Sequence, residues 1–111
     1  MSLTTYRYRQ GDTVPFIYYI EEFNVDKQTL IPIDLTNKDV KISIINIETG
    51  EQIITREPCD ILNPHDGQIE YSFPTNPALS AGMYNIKFTV IDATGKEATF
   101  PEWENQYLHI F

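Results

Sequence analysis

The side chains that most often carry chemistry are few in this sequence, and their spacing matches no catalytic or metal-binding pattern. The histidines are His65 and His109, and Cys59 is the single cysteine. A structural zinc site needs about four such ligands, closely spaced in pairs. A catalytic histidine needs a nucleophile beside it and a carboxylate that orients it. Neither pattern occurs here, so we predict no metal site, no cofactor and no catalytic residue.

Two pairs of carboxylates are the remaining candidates for acid–base chemistry. Glu21 and Glu22 are neighbours in sequence, and Glu102 and Glu104 flank Trp103. A glycosidase needs two carboxyl groups that face each other across a cleft, whereas alternate residues of one extended segment lie on the same side. We therefore interpret both pairs as solvated surface and predict that the protein is not an enzyme.

The length and composition of the chain indicate one folded domain. Of its 111 residues, 41% are hydrophobic and 13% aromatic, which is enough to build a core and is untypical of a disordered chain. We predict a single domain over residues 1–111, with residues 1–5 flexible or in part a remnant of cloning. A lone cysteine excludes an intrachain disulfide and favours synthesis in a reducing compartment.

The charge of the chain argues against two classes of partner. Sixteen acidic and eight basic residues give a net charge of −8, which repels a phosphate backbone and an anionic membrane surface alike. No apolar run approaches the ~20 residues that span a bilayer, and the first residues lack the apolar core of a signal peptide. We therefore predict no nucleic acid and no membrane among its partners.

Alternation of apolar and polar residues predicts strands along the whole chain. It is clearest in residues 82–92, where Tyr84, Ile86, Phe88 and Val90 alternate with polar side chains. Turns rich in Gly, Asp, Asn and Pro separate nine such segments. The predicted strands cover residues 6–9, 14–23, 29–33, 40–47, 52–56, 67–73, 82–92, 97–100 and 106–111.

The number and spacing of these strands predict an all-β fold, namely an immunoglobulin-like antiparallel β-sandwich of two sheets. The disulfide and paired tryptophan of antibody domains are absent. Residues 76–81 alone have helical character, and we expect one turn there that crosses between the sheets. Arg7 and Arg9 alternate with Tyr6 and Tyr8, a pattern that we interpret as an edge strand protected by its charge.

Residues 16–20 differ from the other predicted strands because they are apolar on both sides. The run reads Phe-Ile-Tyr-Tyr-Ile. Such a strand either lies centrally in its sheet or is covered on its outer face by a partner. The second alternative is the first indication of a docking function.

The order of several short motifs resembles a known family. The motifs are Tyr-Arg-Gln-Gly-Asp-Thr-Val-Pro at residues 8–15, Pro-Ile-Asp-Leu-Thr at 32–36, Asp-Gly-Gln-Ile-Glu-Tyr at 66–71, Ala-Gly-Met-Tyr-Asn-Ile-Lys-Phe at 81–88 and Thr-Phe-Pro at 99–101. Together they resemble the N-terminal domain of the phage baseplate upper protein family, found in tails of phages and prophages of Gram-positive bacteria. The resemblance extends from about residue 6 to residue 111.

This resemblance implies a structural role in the virion tail for a protein made in the cytoplasm of the bacterial host. In such proteins the domain docks on neighbouring baseplate subunits, and later segments carry the receptor-binding proteins. The family has no catalytic residues to carry over. The chain departs from the pattern by stopping after this first domain, so it is either a fragment or a small free-standing tail component. We expect other tail or baseplate subunits as partners, and association with further copies of itself.

Aromatic residues are the candidates for these contacts, although we expect about half of them to be core. The candidates are Tyr6, Tyr8, Phe16, Tyr18, Tyr19, Trp103 and Tyr107. The alternative function is a carbohydrate-binding module for cell-surface glycans. There Trp103 and nearby tyrosines would stack on a sugar, and Glu102 and Glu104 would bond its hydroxyls.

Overall fold

Strands form almost all of the regular structure in the computed structural model, which describes residues 4–75, 78–100 and 106–111. The predicted all-β class is confirmed. The strands are β1 (Thr4–Tyr8), β2 (Phe16–Tyr19), β3 (Glu21–Asn24), β4 (Thr29–Pro32), β5 (Asp39–Asn46), β6 (Gln52–Pro58), β7 (Asp60–Asn63), β8 (Gln68–Tyr71), β9 (Gly82–Ile91), β10 (Glu97–Phe100) and β11 (Gln106–Ile110), with a 3₁₀ turn at Pro64–Asp66.

The strands form two main sheets that pack face to face as an immunoglobulin-like β-sandwich. The large sheet has the order β1-β11-β9-β5-β6, with β10 also paired to β9. The small sheet has the order β2-β8-β7, and β3 and β4 form a separate hairpin. Every pairing is antiparallel except that of β1 with β11, which is parallel. Two sheets packed face to face in this way form a β-sandwich.

The core lies between the inner faces of these sheets, where the apolar residues of the alternating pattern meet. In the large sheet, Ile42 of β5 pairs with Phe88 of β9, and both are fully buried. The ring of Phe88 stacks on Tyr18 of the small sheet with 4.5 Å between ring centroids. Alternation along β9 therefore predicted its buried face correctly.

A tyrosine at the start of β9 fixes the connection that enters this strand. The hydroxyl of Tyr84 donates a hydrogen bond of 2.6 Å to the backbone carbonyl of Ser80, four residues earlier. Its ring is buried, and burial raises the pKa of its hydroxyl. A tyrosine that bonds back to the preceding corner is a feature of immunoglobulin-like sandwiches. Between Tyr71 and Gly82 the chain crosses from the small sheet to the large one, as predicted.

Aromatic rings close one side of the sandwich. Tyr6 and Tyr8 of β1 contact Phe16 of β2 edge to face, at centroid distances of 5.1 and 5.9 Å. Phe73 packs against Tyr8 at 5.1 Å. Because β1 belongs to the large sheet and β2 to the small one, these contacts join the two sheets.

On the other side of the sandwich Cys59 alone separates β6 from β7, so the chain itself passes from the large sheet to the small one.

The predicted strand over residues 14–23 is divided into β2 and β3 at Ile20. The backbone amide of Ile20 bonds the carbonyl of Gly67, while its carbonyl accepts from Ile33. The chain therefore leaves β8 at Ile20 and pairs with β4 instead. The alternative of a central strand is wrong, because β2 lies at the edge of the small sheet.

Other differences from the predicted elements are local. Thr4 and Thr5, which we expected to be flexible, belong to β1. Strand β7 and the 3₁₀ turn after it were not predicted. Residues 78–81 contain no helical turn, and the rest of the expected turn, residues 76 and 77, lies outside the described residues.

Candidate docking surfaces

The aromatic residues predicted as contacts separate into core and surface. Phe16 and Tyr18 are 1% and 9% exposed, so their rings serve the core and offer no surface to a partner. Tyr6 and Tyr8 are half-buried against the same core. The remaining residues have different positions: Tyr19 is 51% exposed, Tyr107 is half-buried, and Trp103, with Glu102 and Glu104, lies outside the described residues.

The outer side of the small sheet is an apolar and acidic surface, which we call the small-sheet face. Ile17 of β2 is 46% exposed and lies opposite Glu70 of β8. Tyr19 lies opposite Gln68 and accepts a hydrogen bond of 3.1 Å from its side-chain amide. The face consists of Ile17, Tyr19, Asp60, Gln68 and Glu70, with Leu62 exposed at the bulge of β7 beside them.

Two carboxylates are cross-strand neighbours on the small-sheet face. Asp60 of β7 pairs directly with Glu70 of β8. Like charges at directly opposed positions destabilise an antiparallel pair. Within the described part of the chain, neither carboxylate forms an ion pair. The face therefore carries negative charge that this fold leaves without compensation.

The outer side of the large sheet carries charges of both signs, and we call it the large-sheet face. Lys41 of β5 lies opposite Thr89 of β9, and Lys87 lies two residues earlier on β9, opposite Ser43. The next outward residues along the two strands are the polar Ser43 and Asn85, followed by Ile45 and Met83. The face consists of Arg7, Asp39, Lys41, Ile45, Met83, Lys87, Glu97, Tyr107, His109 and Phe111 together with the polar residues between them.

One corner of the large-sheet face combines cations with an exposed ring. The guanidinium carbons of Arg7 and Arg9 lie 4.9 and 5.8 Å from the centre of the Phe111 ring. His109 is the cross-strand neighbour of Arg7, and its ring lies 5.8 Å from that of Phe111. Strand β1 is an edge strand, as the alternation of arginines and tyrosines predicted. Cation–π contacts of this kind stabilise the corner and leave its positive charge on the surface.

A groove of about 480 Å³ lies between the hairpin β3–β4 and the end of β9. Ile33, Val90 and Phe100 contribute apolar surface, and charged residues surround it. Hydrogen bonds from Thr36 lower the pKa of Asp34, and hydrogen bonds led by the Thr94 hydroxyl lower that of Asp92. Both carboxyls therefore stay ionised and cannot donate a proton near neutral pH.

Two other residues considered for chemistry, His65 and Cys59, lie at separate positions in the fold. His65 lies 3.6 Å from Asp34 on the exposed surface. Burial, reinforced by Asp60 and Glu57, raises the pKa of the Cys59 thiol to about 12. Residues 4–75, 78–100 and 106–111 contain no group of three His, Cys, Asp or Glu side chains arranged to hold a metal ion. The helical structure described is too short to cross a membrane.

Sequence reasoning missed which charged residues become neighbours on the two faces. The strand assignments for residues 40–47 and 82–92 already placed Lys41 and Lys87 on one side of their strands. What the sequence lacked was the pairing of β5 with β9, which brings the two lysines together. The opposed carboxylates were missed because β7 itself was not predicted. No model of a known protein family matches the chain, and no curated protein matches it.

Proposed function

We propose that this domain is a non-enzymatic structural component of a phage or prophage tail baseplate that acts by docking on neighbouring subunits. The tail assignment is supported by the ordered motifs of residues 8–101, which resemble the baseplate upper protein family. The docking mode is supported by one structural observation: Ile17 and Tyr19 are about half exposed on an edge strand of the small sheet.

These two side chains are the main support for the proposal, because exposing them to water costs free energy in an isolated domain. Fully burying an Ile side chain gains roughly 1.5–3 kcal/mol over leaving it in water. A partner that covered the small-sheet face would recover part of that energy for Ile17, and the Tyr19 ring would add contact area. Tyrosine is also enriched at protein interfaces, since its hydroxyl keeps a polar partner while its ring is buried.

The position of β2 at the edge of its sheet supports the same mode. An edge strand presents backbone groups on one side, and a neighbouring subunit can pair with them while its side chains contact the sheet face. Among the residues that the structure describes, β2 pairs with β8 alone. A partner can therefore pair with the backbone at the edge of β2 and pack on the small-sheet face at the same time.

The proposal is tested on particles from the bacterial strain that encodes the chain. Antibodies against the domain should label the far end of the tail in electron micrographs. Labelling that is absent while antibodies against a known tail protein bind the same particles would contradict the tail assignment.

The docking surface is tested in the same particles with the double variant Ile17→Lys/Tyr19→Ala. We expect the variant domain to fold and to be missing from assembled tails. The matched control is Val25→Lys, because Val25 is 74% exposed and lies in the turn between β3 and β4. Normal incorporation of the double variant would overturn docking through this face. Binding of the isolated domain to cell-wall glycans would instead favour the carbohydrate-binding alternative.

A further inference from the structure

We propose that two copies of this domain pair edge to edge through β2, so that their small sheets join into one continuous sheet across a twofold axis. The inference rests on the proposed docking function and names the partner at the edge of β2 as a second copy. Its basis is that the open edge of β2 is complementary to itself, in its backbone groups and in the side chains that would become neighbours.

The backbone groups of β2 are divided between the two sides of the strand. The amide of Ile20 donates to the carbonyl of Gly67, one step beyond the paired residues Tyr19 and Gln68. In an antiparallel pair only alternate residues bond to the partner strand. Ile17 and Tyr19 therefore direct their amides and carbonyls away from β8, toward the open edge. None of these groups has a backbone partner within the described part of the chain.

An antiparallel second copy of β2 bonds all of these groups at once. If the twofold axis passes beside Tyr18, Ile17 of each copy lies opposite Tyr19 of the other. The two residues of such a pair exchange two backbone hydrogen bonds. On the outer side of the joined sheet, each pair also places a β-branched side chain beside an aromatic ring, a combination that stabilises neighbouring strands.

Strand β2 lacks the features that protect the other edge strands of the two sheets. Natural sheets protect their edges with charges, prolines and bulges. Such features are Arg7 on β1, two register shifts and Pro58 on β6, a register shift and Asp60 on β7, and Glu97 on β10. Strand β2 reads Phe-Ile-Tyr-Tyr and pairs with β8 without a register shift. Its edge is therefore regular and uncharged, as pairing with a second strand requires.

The acidic residues of the small-sheet face lie far enough from the axis to permit this contact. Glu70 is on β8, so the β2 strands of both copies separate it from Glu70 of the other copy. At about 4.8 Å per strand the two carboxylates are at least about 14 Å apart, which exceeds the Debye length of about 8 Å at physiological ionic strength. The net charge of −8 on each copy still opposes association at low salt. The contact involves four residues of each β2, so we expect a weak dimer that NaCl strengthens.

A proline at the open edge tests whether β2 pairs with a second copy. Ile17→Pro removes an amide hydrogen that faces solvent in the single domain, so the variant should fold, since edge strands tolerate proline at such positions. Ile17→Val keeps the amide and a branched side chain and is the matched control. Light scattering over a concentration series in 0.5 M NaCl gives the mean mass, and circular dichroism shows that each variant is folded. The mean mass should rise toward that of a dimer for wild type and Ile17→Val and stay monomeric for Ile17→Pro.

Two single cysteine variants test the register, and they decide the question if Ile17→Pro does not fold. In the proposed pairing, residue 17 of Ile17→Cys faces residue 19 of Tyr19→Cys with about 5.5 Å between α-carbons, a distance that a disulfide spans. Two copies of one variant place the same residue about 8 Å apart, which is too far. Mild oxidation should cross-link an equimolar mixture and neither variant alone. A mixture of Val25→Cys and Tyr19→Cys is the control, since Val25 is exposed in the turn between β3 and β4.

Three outcomes would overturn pairing through β2. They are a wild type that remains monomeric at millimolar concentration in 0.5 M NaCl, a folded Ile17→Pro variant that dimerises like the wild type, and a mixture that cross-links no more than its control. A monomeric domain whose Ile17→Lys/Tyr19→Ala variant is nevertheless missing from tails would assign the edge to a different subunit. Absence of antibody labelling on the tail would instead contradict the proposed function itself, so the two failures are distinguishable.

Discussion

Arg56 and Glu97 form a bidentate ion pair across the exposed side of the large sheet. The two guanidinium nitrogens of Arg56 donate to the two carboxylate oxygens of Glu97 at 3.1 and 2.7 Å. Arg56 lies on β6 and Glu97 on β10, and the paired strands β5 and β9 lie between them. The pair therefore connects strands that share no backbone hydrogen bonds with each other. It also removes one acidic side chain from the charge balance of the large-sheet face.

The Glu97→Gln variant should lose a small part of the stability of the domain, in a manner that depends on pH. The hydrogen bonds and charge of Arg56 lower the pKa of Glu97. A lowered pKa in the folded state means that the pair stabilises the fold above the unfolded pKa of about 4.3 and that this contribution is lost as the pH falls through the folded pKa. Because both side chains are almost half exposed, we expect a small effect.

The measurement is the melting temperature of wild type and variant between pH 7 and pH 3. The wild type should melt higher at pH 7, and the difference should shrink toward the acidic end. Glu48→Gln, at an exposed turn residue without an ion pair in the described structure, is the control. A difference that stays constant over this pH range would show that the ion pair is not its cause.

Gly67 should be the least replaceable glycine among those described. It has a φ of +67°, and a Cβ placed there would lie 3.0 Å from the carbonyl oxygen of Ile33 and closer still to that of Ile20. Both atoms belong to the backbone: Ile20 lies between β2 and β3, and Ile33 comes directly after β4. Gly95 has a φ of +89° with no atom near its Cβ position. A left-handed residue alone costs about 1–2 kcal/mol.

We therefore expect Gly95→Ala to destabilise the domain by about 1 kcal/mol and Gly67→Ala by more than about 3 kcal/mol, because a backbone clash adds to the conformational cost. Urea unfolding of the two variants measures the difference. Equal losses for the two substitutions would mean that the backbone near Ile20 can move without cost.

Cys59 should resist thiol reagents in the folded protein. Its thiol pKa is raised to about 12, chiefly by burial. An ordinary thiol with a pKa near 8.5 is about one quarter ionised at pH 8, so the folded protein should react about a thousandfold more slowly than the unfolded chain. Labelling with a disulfide reagent, with and without guanidinium chloride, measures both rates. Similar rates in the two conditions would show that the thiol is open to solvent.

The sequence was sufficient for elements with long, regular alternation and insufficient where pairing decides the structure. Strand β9 was predicted to within one residue because Tyr84, Ile86, Phe88 and Val90 mark its buried face without interruption. Strand β7 has four residues and a bulge, so its alternation is too short to recognise. No residue type in the apolar run 16–20 indicates that β2 ends before Ile20. The strand ends there because the chain changes its pairing partner from β8 to β4.

The same limit applies to the candidate contacts. Phe16, Tyr18 and Tyr19 are similar in size and neighbours in sequence, and alternation alone separates the first two from the third. Which side of β2 is the core depends on β8 and on the rings of β1, which are distant in sequence. The charged neighbours on the two faces likewise depend on pairings between β5 and β9 and between β7 and β8. Such pairings are long-range properties of the fold.

The division between core and surface aromatic residues can be measured with two truncations. Phe16→Ala should destabilise the domain by about 3–5 kcal/mol, because it removes a ring that is 1% exposed and contacts Tyr6, Tyr8 and Phe73. Tyr19→Ala should cost less than about 1 kcal/mol, since its ring is 51% exposed. Urea unfolding at low protein concentration gives both values without a contribution from association.

Incorporation of the Tyr19→Ala variant into assembled tails completes this test. If Tyr19 contributes to the docking surface and not to the core, its removal should weaken incorporation while stability is nearly unchanged. Phe16→Leu, which keeps an apolar side chain in the core, should be incorporated like the wild type as long as it is folded. A Tyr19→Ala variant that is strongly destabilised would instead assign the ring a role in holding β2 against β8, where its hydroxyl accepts from Gln68.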